Sequence, residues 1–229
     1  MERIGIMNDR MVRMIDIFQQ SFFPLLKAGL SFTVPLTILS FTFGLILAFL
    51  TALSRMSNFR PLKAVAKFYV WIIRGTPLLV QLFIIFFGLP SIGITLDAFI
   101  SAVIGFTLSV GAYNSEIIRS AIGSISKGQW EAAQALGMSK TQTMSYIILP
   151  QAIRVAIPPL ANSFISLLKD TSLAAAITVS EMFQISQQIT ARTYEPLLLY
   201  IEVALIYLIF SSVLSYVQSR MEIKFGKHV

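Results

Sequence analysis

From Ala28 to Leu53 the chain runs 26 residues without a charged side chain. A helix of that length, at 1.5 Å per residue, covers the ~30 Å hydrocarbon core of a bilayer, so this run can be buried by lipid alone. Two more uncharged runs follow, 22 residues from Gly75 to Leu96 and 18 from Ala98 to Ser115. Two others are interrupted: Val155 to Ser180 by Lys169 and Asp170, and Pro196 to Ser219 by Glu202. The pattern predicts an all-α polytopic membrane protein with about five transmembrane helices, the fourth short or broken. An odd number of crossings puts the termini on opposite faces. Composition agrees: 55% of the 229 residues are hydrophobic and 13% charged, with a mean hydropathy of +0.75, and no soluble core of this length hides so much apolar surface. The first run is too long for the apolar stretch of a signal peptide and lacks a cleavage site, so it is expected to remain.

The net charge of +7 does not point to nucleic acid, because the basic residues form short clusters between apolar runs and not one basic face. Arg55, Arg60, Lys63 and Lys67 lie in the first connection, Arg119, Lys127, Lys140 and Arg154 in the third, and Arg220, Lys224 and Lys227 in the C-terminal tail. In a five-helix topology these three fall on one side. Positive residues are retained in the cytoplasm, which predicts the N-terminus outside and the C-terminus in the cytoplasm. Arg3, Arg10, Arg13 and Lys27 run against this rule. Met11, Met14, Ile15, Phe18 and Phe22 recur at helical spacing opposite Arg10, Arg13, Gln19 and Gln20, and Asp9 and Asp16 offset part of the charge. Residues 1–27 therefore read as an amphipathic segment at the interface or as an extension of helix one, 28–219 as the transmembrane domain, and 220–229 as a cytoplasmic tail.

The third connection, residues 119–154, is too long to be structureless. Gln129 to Leu136 is rich in helix formers, and Gly137 can end that helix in a left-handed conformation. Ser139 and Gln142 have capping-box spacing for a second helix, which Pro150 would end or bend. The expectation is helix, tight turn, helix, presented to the cytoplasm as a rigid unit.

Glu131, Ala132 and Ala133, then three residues, Gly137, nine residues, Ile147, one residue, Leu149 and Pro150 reproduce the spacing of the EAA loop in the membrane subunits of bacterial ATP-binding-cassette (ABC) importers. RGTPLLVQLFIIFFGLP from Arg74 to Pro90, KGQWEAAQALGM from Lys127, and NSFISLLKDTSLAAAITVSEMF from Asn162 to Phe183 resemble the polar amino-acid branch, closest to its cystine permeases. The resemblance spans roughly residues 25 to 220 and implies a type I importer permease fold. It also implies ABC ATPase subunits that carry ATP and Mg and dock on the loop, a second permease subunit, a homodimer in the simplest case, and an extracellular solute-binding protein. In such a loop Ala132 and Ala133 allow close approach, Gly137 sets the turn, and Glu131 pairs with a basic or amide group on the ATPase.

Ionisable residues inside a membrane cost several kcal/mol unless paired or hydrated, so each one calls for a role. Asp170, with Thr171 and Ser172, is the first candidate to grip a substrate ammonium, and Lys169 or Arg74 to meet a carboxylate. Tyr113, Asn114 and Glu116 come next, with Glu116 and Arg119 three apart on one helical face. Glu181 and Glu195 are expected near the outer surface. A zwitterion suits a lining with both signs. No GxxxxGK[ST] phosphate loop occurs, so the chain is expected to be a non-catalytic subunit that binds no cofactor of its own. The chain has no cysteine, and its single histidine, His228, lies in the tail. A gradient-driven secondary transporter or channel is the rival reading, but the two halves show no internal repeat that would favour it.

Overall fold

The computed structural model describes residues 2–225, with side-chain surroundings described for 10–220. In chain order the helices are α1 (Glu2–Ala28), α2 (Val34–Met56), α3 (Arg60–Gly75), α4 (Leu78–Phe83), α5 (Ala98–Gly123), α6 (Lys127–Ala135), α7 (Lys140–Gln142), α8 (Leu149–Asp170), α9 (Met182–Thr193) and α10 (Pro196–Phe225). Four continuous helical stretches among the described residues are long and apolar enough to cross a membrane, and a bent pair, Arg60–Gly75 with Leu78–Ile92, makes a fifth if it counts as one span.

Three prolines shape these stretches in the same way. Pro35, Pro90 and Pro150 each stand two residues after a π-helical turn, Gly29–Thr33, Ile84–Gly88 and Thr143–Ile148 respectively. A proline in a helix lacks the N–H its i−4 carbonyl needs and crowds that carbonyl with its ring. Widening the preceding turn by one residue relieves both problems without breaking the helix. Pro150 thus neither ends nor sharply bends its helix, which runs on from Lys140 to Ile177. By the same device α1 continues into α2, so no break separates residues 2–27 from the first span. Arg3, Asp9, Lys224, Lys227 and His228 lie outside the residues whose side chains are described, and α10 stays helical as far as Phe225.

The second span departs from its sequence outline. Thr76 and Pro77 are extended, and the two arms meet at 105°. A residue before proline is driven out of the helical region, which is why α3 stops at Gly75. The Gln81 side chain donates to Ile73 O at 2.8 Å and Thr76 O at 3.1 Å, capturing carbonyls released at the end of α3. Leu78–Ile92 alone is too short for a straight crossing, so the second apolar run is a bent unit of two arms and not one straight helix.

The centre of the fold is the contact between α2 and α5. Leu36, Ser40, Gly44, Ala48 and Ala52, four residues apart, are buried on one face of α2, while Ile38, Phe43, Ile46 and Leu50 on the other are open to lipid. Small residues matter here because lipid solvates leucine as well as protein does, so helices gain only by close packing. A Cβ on Gly44 would lie 2.5 Å from Val110 Cγ1. Gly44→Val is therefore expected to lower the melting temperature of the detergent-solubilised protein by several degrees, reflecting roughly 1–3 kcal/mol of overpacking. A thermal-shift profile matching the unmodified protein would show that the two helices separate without penalty.

Helix α8 packs on α5, and α10 on α8. At the other edge α1, α9 and α10 enclose Leu25, Met182, Val203 and Ile206. Glu181 is not solvated there. It is fully buried and caps α9, accepting from Phe183 N at 2.9 Å, Gln184 N at 2.7 Å and Tyr207 Oη at 2.6 Å. Burial pushes its carboxyl above the usual range, and these hydrogen bonds act in the opposite direction. Glu195 pairs with Arg10 at 3.9 Å, and Arg13 donates to Thr193 O at 3.0 Å, so two of the anomalous N-terminal cations tie α1 to the end of α9. Glu202, mid-helix in α10, bonds to Ser21 of α1.

Candidate functional site

A cavity of about 590 Å³ lies between the α3–α4 elbow, α5 and α8. The elbow supplies Arg74, one residue before Gly75. Helix α5 supplies Ser109, Tyr113, Asn114 and Glu116, and α8 supplies Asn162, Ser163, Ser166 and, at its last residue, Asp170.

Glu116 organises three guanidinium groups. Arg55 from the end of α2 holds Oε1, Arg119 Nε donates to Oε2 at 2.9 Å, and Arg74 stands 3.4 Å from Oε1. Both carboxylate oxygens are thus occupied, and three cations face one anion. Of the three arginines, Arg74 is the one among the residues that line the cavity. Its side chain is 42% exposed, and its guanidinium lies over the Tyr113 ring, 5.2 Å from the centroid. Tyr113, Asn162, Ser166 and Asp170 are also exposed on this side.

Lys169 and Asp170 face different spaces, as adjacent residues on a helix must. Asp170 enters the cavity, whereas Lys169 and Ser172 line a separate groove of about 420 Å³ with Tyr200 and Tyr207. Thr171 is fully buried and donates to Leu168 O at 2.6 Å. The structure therefore gathers Arg74, Tyr113, Asn114, Glu116 and Asp170 and leaves Lys169, Thr171 and Ser172 outside. Among the described residues no three His, Asp or Glu side chains converge as metal ligands.

The loop from 124 to 148 forms a second feature. Ser126 caps α6, and α6 ends in a Schellman turn: Gly137 N donates to Gln134 O at 2.9 Å, Met138 N to Ala133 O at 3.1 Å, and Gly137 has φ 74°. The capping box is closed in both directions, with Ser139 N donating to Gln142 Oε1 at 2.9 Å and Gln142 N to Ser139 Oγ at 3.3 Å. Ala133 is buried inside the unit, so its small side chain serves the loop's own packing. Glu131, Ala132 and Leu136 face outward, Leu136 with 81% of its surface exposed.

The family described as "Binding-protein-dependent transport system inner membrane component" matches residues 40–226. The chain belongs to this family. The L-cystine transport system permease protein TcyB of Bacillus subtilis is 57% identical over 215 residues, covering 93% of this chain and 92% of TcyB. A probable amino-acid ABC transporter permease of the same organism, YckA, is 45% identical over 207 residues, covering 90% and 92% of the two chains. A solved structure described as an amino acid ABC transporter with histidines superposes with a TM-score of 0.81 at 36% identity, over 94% of this chain and 97% of that one. The chain is a multi-pass permease subunit of an ABC importer, with the type I importer permease fold.

In this permease Asp170 was expected in the site, but the polar residues that precede it on α8, Asn162, Ser163 and Ser166, were missed. Asn162, Ser163, Ser166 and Asp170 follow a three-to-four residue spacing, a stripe that the intervening apolar residues obscure. Arg55 was also missed as a partner of Glu116, because it reads as one more positive charge in the first connection.

Proposed function

We propose that this permease carries L-cystine across the plasma membrane, with Arg74 receiving a carboxylate and Asp170 an ammonium of the substrate. The observation that carries the reading is the placement of the Arg74 guanidinium and the Asp170 carboxylate in a single cavity, in a chain 57% identical to an L-cystine permease. Its volume is within the usual range for small-ligand sites. Charged and polar groups exposed at membrane depth face water or protein and not lipid, so the open side of the cavity fits closure by a second copy of the chain. With no cysteine in the permease, no thiol of its own can exchange with the substrate disulfide, and cystine passes unaltered.

Separate ATPase subunits, holding ATP and Mg, dock against the outward face of the 124–148 loop through Glu131, Ala132 and Leu136. Gly137 and the buried Ala133 keep that face rigid. In this reading the loop and the C-terminus lie in the cytoplasm and the N-terminus outside, where a solute-binding protein delivers cargo, and the basic residues of the connections support that orientation. Transport needs only that the cavity bind substrate differently in the inward- and outward-open states.

Competitive uptake of labelled cystine, arginine and glutamine by the reconstituted complex tests the cargo, and cystine is expected to be the strongest competitor. Asp170→Asn is expected to weaken cystine uptake at least about tenfold, the loss of one charge-assisted hydrogen bond, while the complex still assembles. Unchanged uptake kinetics would remove Asp170 from the path.

A further inference from the structure

Each chain's cavity offers receptors for a single zwitterion. Both oxygens of Glu116 are held by Arg55 and Arg119, so that carboxylate is not available to an ammonium. Arg74 stands 3.4 Å from the same carboxylate, but three guanidinium groups share that one negative charge. Arg74, exposed over the Tyr113 ring, therefore keeps positive charge for a substrate carboxylate, and Asp170 at the end of α8 is the other anion of the cavity. Lys169, the next cation along, opens into the other groove and cannot contribute. Cystine, however, presents two ammonium and two carboxylate groups, one pair on each half. Its halves are related by a two-fold axis through the disulfide, with the two Cα atoms about 5.5–6 Å apart. A pair of identical chains has a two-fold axis of its own.

We propose that one cystine lies across the axis of a permease homodimer, each half bound by Arg74 and Asp170 of one copy. The site is then incomplete in either chain alone, and the second copy supplies half of the binding groups. This inference rests on the reading of the cavity as the cystine path.

The test uses the permease purified with its ATPases, without the binding protein. Binding of labelled L-cystine is expected to saturate at one molecule per two permease chains. S-methyl-L-cysteine, which carries one zwitterionic end, is expected to saturate at two per two chains, about a hundredfold more weakly. Meso-cystine lacks the two-fold axis, so only one of its ends can fit, and its affinity is expected to fall near that of S-methyl-L-cysteine. Mixed dimers with Asp170→Asn in one copy, isolated through two different tags, are expected to lose all high-affinity cystine binding. Two cystines per dimer, or mixed dimers that keep half the capacity at the original affinity, would overturn the shared site while leaving the cystine path intact. If the unmodified complex binds no cystine, or prefers arginine or glutamine, the cystine reading itself fails, and the bridging site with it.

Discussion

Permeases carrying Glu131→Lys or Gly137→Pro are expected to reach the membrane at normal levels but to lose both co-purification with the ATPase and ATP-driven uptake. Glu131 lies on the outward face of α6, so reversing its charge leaves the internal contacts of the loop in place and alters only what a partner meets. At an interface hot spot such a change costs about 2 kcal/mol or more, a loss of roughly thirtyfold or greater in affinity. Gly137→Pro acts through the backbone. Proline fixes φ near −65°, against 74° here, and removes the N–H that donates to Gln134 O. The Schellman turn cannot close, and α6 no longer holds its angle to the Ser139 capping box. Pull-down of the ATPase with tagged permease, alongside quantitation in membranes, separates the coupling defect from failed insertion. Normal assembly of both variants would place the docking surface elsewhere.

Glu116→Leu is expected to damage the fold itself. Without its carboxylate, Arg55, Arg74 and Arg119 face one another within the helical bundle with no anion between them. Removing one side of a fully buried ionic pair costs about 3–5 kcal/mol. Here Arg55 is mostly enclosed, but Arg74 and Arg119 are 42% and 46% exposed and stay hydrated, so about 2–3 kcal/mol is expected. Such a loss corresponds to a fall of several degrees in the melting temperature, readable by thermal shift in detergent. Glu116→Leu combined with Arg55→Leu should recover part of it, since one uncompensated charge leaves with the carboxylate. If the single variant melts within a degree or two of the unmodified protein, water or counter-ions neutralise the cluster and Glu116 is not its organiser.

Much of this was legible from local chemistry. The coupling loop is the clearest case, since a glycine that must adopt positive φ and a serine three residues before a glutamine specify turn and cap through bonds between near neighbours. The number of crossings was nearly as clear, because the length of an uncharged run is set by bilayer thickness. The elbow was less so. Thr76 and Pro77 announce a break, but neither the 105° between the arms nor the capture of the α3 carbonyls by Gln81 is written in the local spacing.

The sequence by itself determined that the chain lives in a membrane, about how many times it can cross, how its loop turns, and to which family it belongs. These properties follow from hydrophobic length, proline and glycine backbone limits, and spacing within one helix. Only the tertiary structure decided which charges meet. Glu116 meets Arg55, 61 residues away, and Arg74 rather than Lys169 shares a cavity with Asp170. Adjacent residues on a helix diverge by about 100°, and which of them meets a cavity, a groove or a neighbouring helix is settled by how the other helices pack, which no local spacing encodes.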